Sequence, residues 1–174
     1  MTSYLIFTDV SLDPRLKLGM GAYLIVPYFF VEVLPDNIEK SDISQLLHIR
    51  RFENTSSTKL EVETILWALE NFTNSYNNKE KPNLSLYTDS QCVAGLLNRR
   101  KGLEEKKFLS QSKNVQLKHA SLYQKFYEFY DELEFEVVKV TGHSRSITHD
   151  TIHRIFSFID REVRHKFKLW MKEY

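Results

Sequence analysis

The sequence predicts a single α/β domain covering residues 1–174, and three observations lead there. Short apolar runs with strand character alternate with longer segments whose apolar residues recur every three to four positions, as on one face of a helix. Two of the strand-like runs, Tyr4–Ser11 and Leu84–Ser90, end alike, in Thr-Asp with a serine close behind. A composition of 42% hydrophobic and 27% charged residues over 174 positions supplies one sizeable core and an ordinary hydrated surface.

The element order reads three strands, helix, strand, helices, strand, helix. Leu5-Ile-Phe7 has the look of a strand buried on both faces, and it delivers Asp9 at its carboxyl end. Gly19–Val26 is a second strand, with Gly19 and Gly21 permitting close approach across a hairpin. Tyr28–Val33 is strand-like but is interrupted by Pro35, Asp36 and Asn37, and a polar connector follows. Leu46–Phe52 alternates as a third strand. The polar cluster Asn54–Thr58 precedes a helix from Leu60 to Glu70, with Thr58 and Glu61 spaced as a capping box. Glu61, Ile65, Ala68 and Phe72 share one face, so Glu61 opens the stripe that presses on the sheet, whereas Glu63 points to solvent.

After the Asp89 strand come a short helix, Gln91–Leu97, and a segment rich in cations: Arg99, Arg100, Lys101, Lys106 and Lys107. A helix over Ala120–Leu133 turns Leu122, Phe126, Phe129 and Tyr130 inward with Tyr123 and Tyr127 on its flank. A last strand, Phe135–Val140, leads to Thr141-Gly-His143. The final helix, about Asp150 to Trp170, carries Ile152, Phe156, Ile159, Val163, Phe167 and Trp170 as its core stripe.

Charge and cysteine content exclude several classes. A formal net charge of +1 is not that of a protein coating nucleic acid indiscriminately, so electrostatic binding requires a local patch, and residues 99–107 are the candidate. The same charges would also suit a solvated loop. Cys92 is the only cysteine, which excludes an intrachain disulfide framework and fits a reducing compartment. No run approaches the ~20 apolar residues of a membrane span, and a cytoplasmic, monomeric protein is expected.

Two carboxylates at matching ends of neighbouring strands repel, and a hard divalent cation with oxygen ligands is the usual remedy. At this point the order of motifs resembles type 1 ribonuclease H. Phe7-Thr-Asp-Val-Ser11 is similar to that family's first-strand aspartate motif, Lys59-Leu-Glu-Val62 and Ala68-Leu-Glu70 to its first helix, Tyr87-Thr-Asp-Ser-Gln91 to its fourth strand, and Val140-Thr-Gly-His143 to its histidine loop. The resemblance implies a ribonuclease H-like fold, a mixed five-stranded sheet flanked by helices, and an endonuclease cutting the RNA strand of RNA/DNA hybrids. It implies that Asp9, Glu61 and Asp89 hold two Mg²⁺ or Mn²⁺ ions about 4 Å apart, with His143 assisting proton movement or product release. It implies further that Ser56, Ser57, Thr58 and Gln91 contact the hybrid and that Arg99, Arg100 and Lys101 grip its DNA strand. Recognition would rest on 2′-hydroxyls and duplex shape rather than base sequence.

Two departures stand out. Val10 occupies a position where the family usually has a small residue, and residues 28–45 form an unfamiliar insert, a candidate surface for a protein partner. The family's fourth metal ligand, an aspartate about ten residues beyond the histidine, falls here on His153. His153 is therefore the expected fourth ligand, favouring Mn²⁺, with Asp150 one turn earlier as the fallback. Asp160 lies ~10 Å further along the helix and would serve only if the preceding loop were rearranged.

Overall fold

A computed structural model describes residues 2–33, 35–77, 80–141 and 150–174. Five strands form one sheet in the order β3-β2-β1-β4-β5. They are β1 (Ser3–Asp13), β2 (Leu18–Pro27), β3 (His48–Glu53), β4 (Asn83–Thr88) and β5 (Glu136–Lys139). β1 pairs antiparallel with β2, and β2 with β3; β4 lies parallel to β1, and β5 to β4. The sheet is thus mixed, as expected, with β1 at its centre.

Side-chain alternation along β1 divides the core into two layers. Ile6 packs with Leu84 and Leu86 of β4 beneath α2 (Ser57–Ser75) and α5 (Ala120–Leu133). Leu5 and Phe7 pack on the opposite face with α6 (Thr151–Met171), whose stripe Ile155, Phe156, Ile159, Val163, Phe167 and Trp170 is buried there. By the same parity Asp9 emerges on the α6 side.

Gly19 and Gly21 do more than shape a hairpin. A Cβ on Gly19 would sit 2.5 Å from Leu60 Cδ2, and one on Gly21 would sit 2.1 Å from Thr64 Oγ1. Both contacts are sterically forbidden, so the bare backbone of β2 is what lets α2 lie directly on the sheet. Thr64 is itself fully buried and donates to the Leu60 carbonyl at 2.7 Å. This close approach fixes where Glu61, between those two residues, meets the strand ends.

The segment after β2 departs from the expectation of a strand and a polar connector. Tyr28–Val31 is a 3-10 turn, and α1 (Lys40–Leu46) follows before β3. Pro27 and Pro35 deny the chain a continuous ladder, while Ile38 and Ile43 bury against the α6 layer. Thr151 donates to the Val33 carbonyl at 2.8 Å, which ties the start of α6 to this insert. Two short helices, α3 (Gln91–Ala94) and α4 (Leu96–Glu105), connect β4 to α5. In α5, Tyr123 and Tyr127 are buried, whereas Leu122, Phe129 and Tyr130 are only partly covered, so the inward face is rotated from the expected one.

Candidate active site

Asp9 sits on β1 beside Ala22 of β2, and Asp89 directly follows the end of β4, which runs parallel to β1. The two aspartates therefore emerge at the same end of the sheet. Thr8, Asp9, Val10, Glu61, Thr88 and Asp89 line one small open pocket. Three of the expected residues, Asp9, Glu61 and Asp89, are thus brought together. Val10 stands in the pocket wall as well.

Asp9 is the electrostatic centre. It is 6% exposed, and burial, followed by the nearby charges of Asp89 and Asp160, pushes its carboxyl up to about 8; the Val10 N–H, donating to it, opposes the shift. The Asp160 carboxyl lies within hydrogen-bonding reach of Asp9. Two carboxylates can make that contact only while one keeps a proton. Asp9 Oδ2 is buried and accepts from no donor among the described residues. An orphaned buried oxygen amid like charges suits a hard cation, and the donor set is all oxygen. Among the described residues, no three His, Cys, Asp or Glu side chains already form a closed ligand set.

Glu61 is held by two serines rather than by a capping box. Ser57 Oγ donates to Glu61 Oε1 at 3.1 Å, and Ser90 Oγ donates to Oε2 in a short contact. Ser90 is 5% exposed and is also the N-cap of α3, accepting from Val93 N at 3.2 Å. One hydroxyl thus links the Asp89 turn to the Glu61 helix. Helix α2 begins at Ser57, with Ser56 as an N-cap whose side chain makes no capping bond. The pairing of Thr58 and Glu61 expected from sequence is absent because Glu61 turns to Ser57 and Ser90.

At the fourth position α6 brings a different side chain to Asp9 from the expected His153 or Asp150. His153 Nδ1 faces Asp150 Oδ2 at 3.5 Å, and Asp150 caps α6 by accepting from Ile152 N at 3.1 Å. Asp160 is the acidic residue of α6 that reaches Asp9, and Arg164 one turn later holds it at 2.7 Å. The reason is where α6 starts. The Thr151 bond to Val33 sets its first turn close to the end of β2, which pairs with the start of β1 at Tyr4. Nine residues of helix, about 13 Å, then pass before Asp160 draws level with Asp9. A sequence signal existed: Asp160 is four residues from Phe156 and three from Val163, a charge on the margin of a buried stripe. His143 lies outside the described residues.

The remaining expected contacts are dispersed. Ser56, Ser57 and Thr58 form the first turn of α2 next to Glu61. Gln91 opens α3, exposed, two residues beyond Asp89. Arg100 is not an available cation. It forks onto Asp131, with Nη2 at 2.7 Å from Oδ2, and meets Glu104 Oε1 at 2.7 Å, so its charge is already matched and its guanidinium is held fully protonated. Arg99 lies over the Tyr123 ring at 5.6 Å, and Lys101 approaches Glu105 at 4.0 Å.

Two solved structures share this architecture with little sequence likeness. A foamy viral protease-reverse transcriptase solved in complex with dsDNA superposes with a TM-score of 0.58 at 12% identity, over 93% of each chain. Native prototype foamy virus protease-reverse transcriptase gives a TM-score of 0.58 at 15% identity over 92% of this chain, which spans only 20% of that one. At such identities the likeness establishes the fold alone. No curated protein matches the sequence. The RNase H family profile, however, matches residues 1–151, most of the length, including the Asp9, Glu61 and Asp89 segments. On that match, with the mixed sheet and its converging carboxylates, the chain belongs to the RNase H family.

Proposed function

We propose that this chain is an endonuclease that hydrolyses the RNA strand of RNA/DNA hybrids, using divalent cations held by Asp9, Glu61, Asp89 and Asp160. The observation that carries the reading is the burial of Asp9 against Asp89 and Asp160, with one of its oxygens orphaned. A metal-free protein gains nothing from such crowding; a cation site requires it. When bound, Mg²⁺ or Mn²⁺ supplies Lewis acidity and charge neutralisation for phosphodiester hydrolysis.

The chain's own residues do the rest. Ser57 and Ser90 aim the Glu61 carboxylate into the pocket and keep it from relaxing toward solvent. Ser56, Ser57 and Thr58 form the amino-terminal turn of α2, where backbone N–H groups lack intrahelical partners and favour phosphate. Arg99 and Lys101 offer cations along α4, while Arg100 braces α4 against α5. His143, on the segment after β5, is assigned proton movement or product release, as the resemblance implies. Cleavage of an end-labelled hybrid with Mg²⁺ or Mn²⁺, against single-stranded RNA and duplex DNA, tests the reading. Hybrid-specific cuts lost in Asp9→Asn support it; cuts that persist in rigorously purified Asp9→Asn overturn it.

A second reading is a hybrid-binding module that cuts poorly, favoured by Val10 in the pocket wall. It predicts tight hybrid binding with little turnover, and an increase in turnover for Val10→Gly.

A further inference from the structure

Gln91 is exposed at the start of α3, next to Ser90, which bonds Glu61, and two residues from Asp89. A nucleic acid lying over the pocket therefore passes its side chain. The carboxamide of glutamine has two faces of opposite character: its oxygen accepts and its NH2 donates. Which one meets the ligand decides what it reads.

That choice is made by Lys139. The last residue of β5 pairs with Thr88 of β4, immediately before Asp89, and it shares the sheet face of Val137, the α2 and α3 side. Its ammonium donates to Gln91 Oε1 in a short contact. An ammonium has donors and no acceptor, so the carboxamide can meet it only through oxygen. The Gln91 NH2 is thereby turned outward.

The consequence concerns sequence preference. In the minor groove every base pair presents acceptors, purine N3 or pyrimidine O2, while the guanine N2 amine is the one donor that a base edge offers; the ribose 2′-hydroxyls, which donate and accept alike, carry no base identity. An NH2 pointing out finds an acceptor opposite any base. Among base edges, an oxygen pointing out would find a partner only at guanine. We propose that Lys139 is a positioning residue that locks Gln91 as a hydrogen-bond donor and so makes the site indifferent to base sequence. The inference rests on the hybrid-nuclease reading above, which puts a duplex groove over the pocket.

The test uses hybrids in which guanines are either kept or replaced by inosine, which lacks only the N2 amine. Binding is read in the Asp9→Asn background, and cut-site distributions are read with the active protein on a randomised hybrid. With Lys139 present, guanine and inosine hybrids bind alike. Lys139→Met frees the amide to turn, and binding then favours guanine by roughly fivefold, the equivalent of one ordinary hydrogen bond; cuts cluster beside G·C pairs. Lys139→Arg restores indifference, because arginine also only donates. Adding Gln91→Met to Lys139→Met abolishes the acquired preference. An unchanged guanine-to-inosine ratio in Lys139→Met overturns the inference, as does a preference that survives loss of Gln91. A protein with Lys139 intact that neither binds nor cuts either hybrid overturns the nuclease reading itself, and this inference with it.

Discussion

Replacing Asp9 by Asn should stabilise the metal-free protein, and by an amount that grows with pH. The Asp9 carboxyl releases its proton near pH 8 in the folded chain and near the ordinary 3.8 when unfolded. Between those values the folded state binds more protons than the unfolded one, so stability is full below about pH 4 and is lost as pH rises to about 8. Each pH unit inside the window corresponds to about 1.4 kcal/mol. Asn is isosteric, keeps an oxygen for the Val10 N–H and offers an NH2 to Asp160, so it removes the charge without emptying the space. The stabilisation by Asp9→Asn should therefore be larger at pH 7.5 than at pH 5 by about 3 kcal/mol. For a chain of this length that is a further gain of about 6–12 °C in Tm. Thermal melts in chelator at the two pH values measure it. Mn²⁺ should raise the Tm of the parent and leave the variant nearly unmoved. A Tm gain that is equal at both pH values, or a variant less stable than the parent at pH 7.5, would refute the argument that Asp9 is held against its own charge.

Other outcomes follow from the same geometry. Asp160→Asn should abolish cleavage, while His153→Ala leaves it within a few-fold of the parent and Asp150→Ala loses about 1 kcal/mol of stability through the α6 cap; full activity in Asp160→Asn would overturn the assignment. Ser90→Ala should lower turnover at least tenfold with a stability loss of about 1 kcal/mol, read by steady-state cleavage and urea melts in parallel. Gly21→Ala should cost about 2–3 kcal/mol by driving a methyl into Thr64, and Thr64→Ala on top should recover part of it in the same melts. Arg99→Ala with Lys101→Ala should flatten the salt dependence of hybrid binding, whereas Arg100→Ala should lower Tm and leave that slope nearly unchanged.

The sequence by itself determined the layered α/β plan, because period-2 and period-3.6 apolar patterns follow from backbone geometry alone. It also marked Asp9, Glu61 and Asp89, since a carboxylate at the mouth of an apolar strand or at the start of a core-facing stripe is conspicuous locally. Tertiary structure alone decided the rest. The expected capping box at Thr58 gave way to serine contacts on Glu61, one of them from a residue 29 positions away, beyond the reach of any local rule. Arg100 looked like an available cation until α5 brought Asp131 to it. The insert after β2 read as a strand-like run and a polar connector, yet it buries Ile38 and Ile43 and holds the first turn of α6. That anchor sets how many helical turns precede the pocket, so the residue of α6 that comes up to Asp9 is Asp160 and not the one reached by counting from His143. Counting along a chain measures contour length, whereas a site is set by where each helix begins to pack, and that point lies in another part of the sequence.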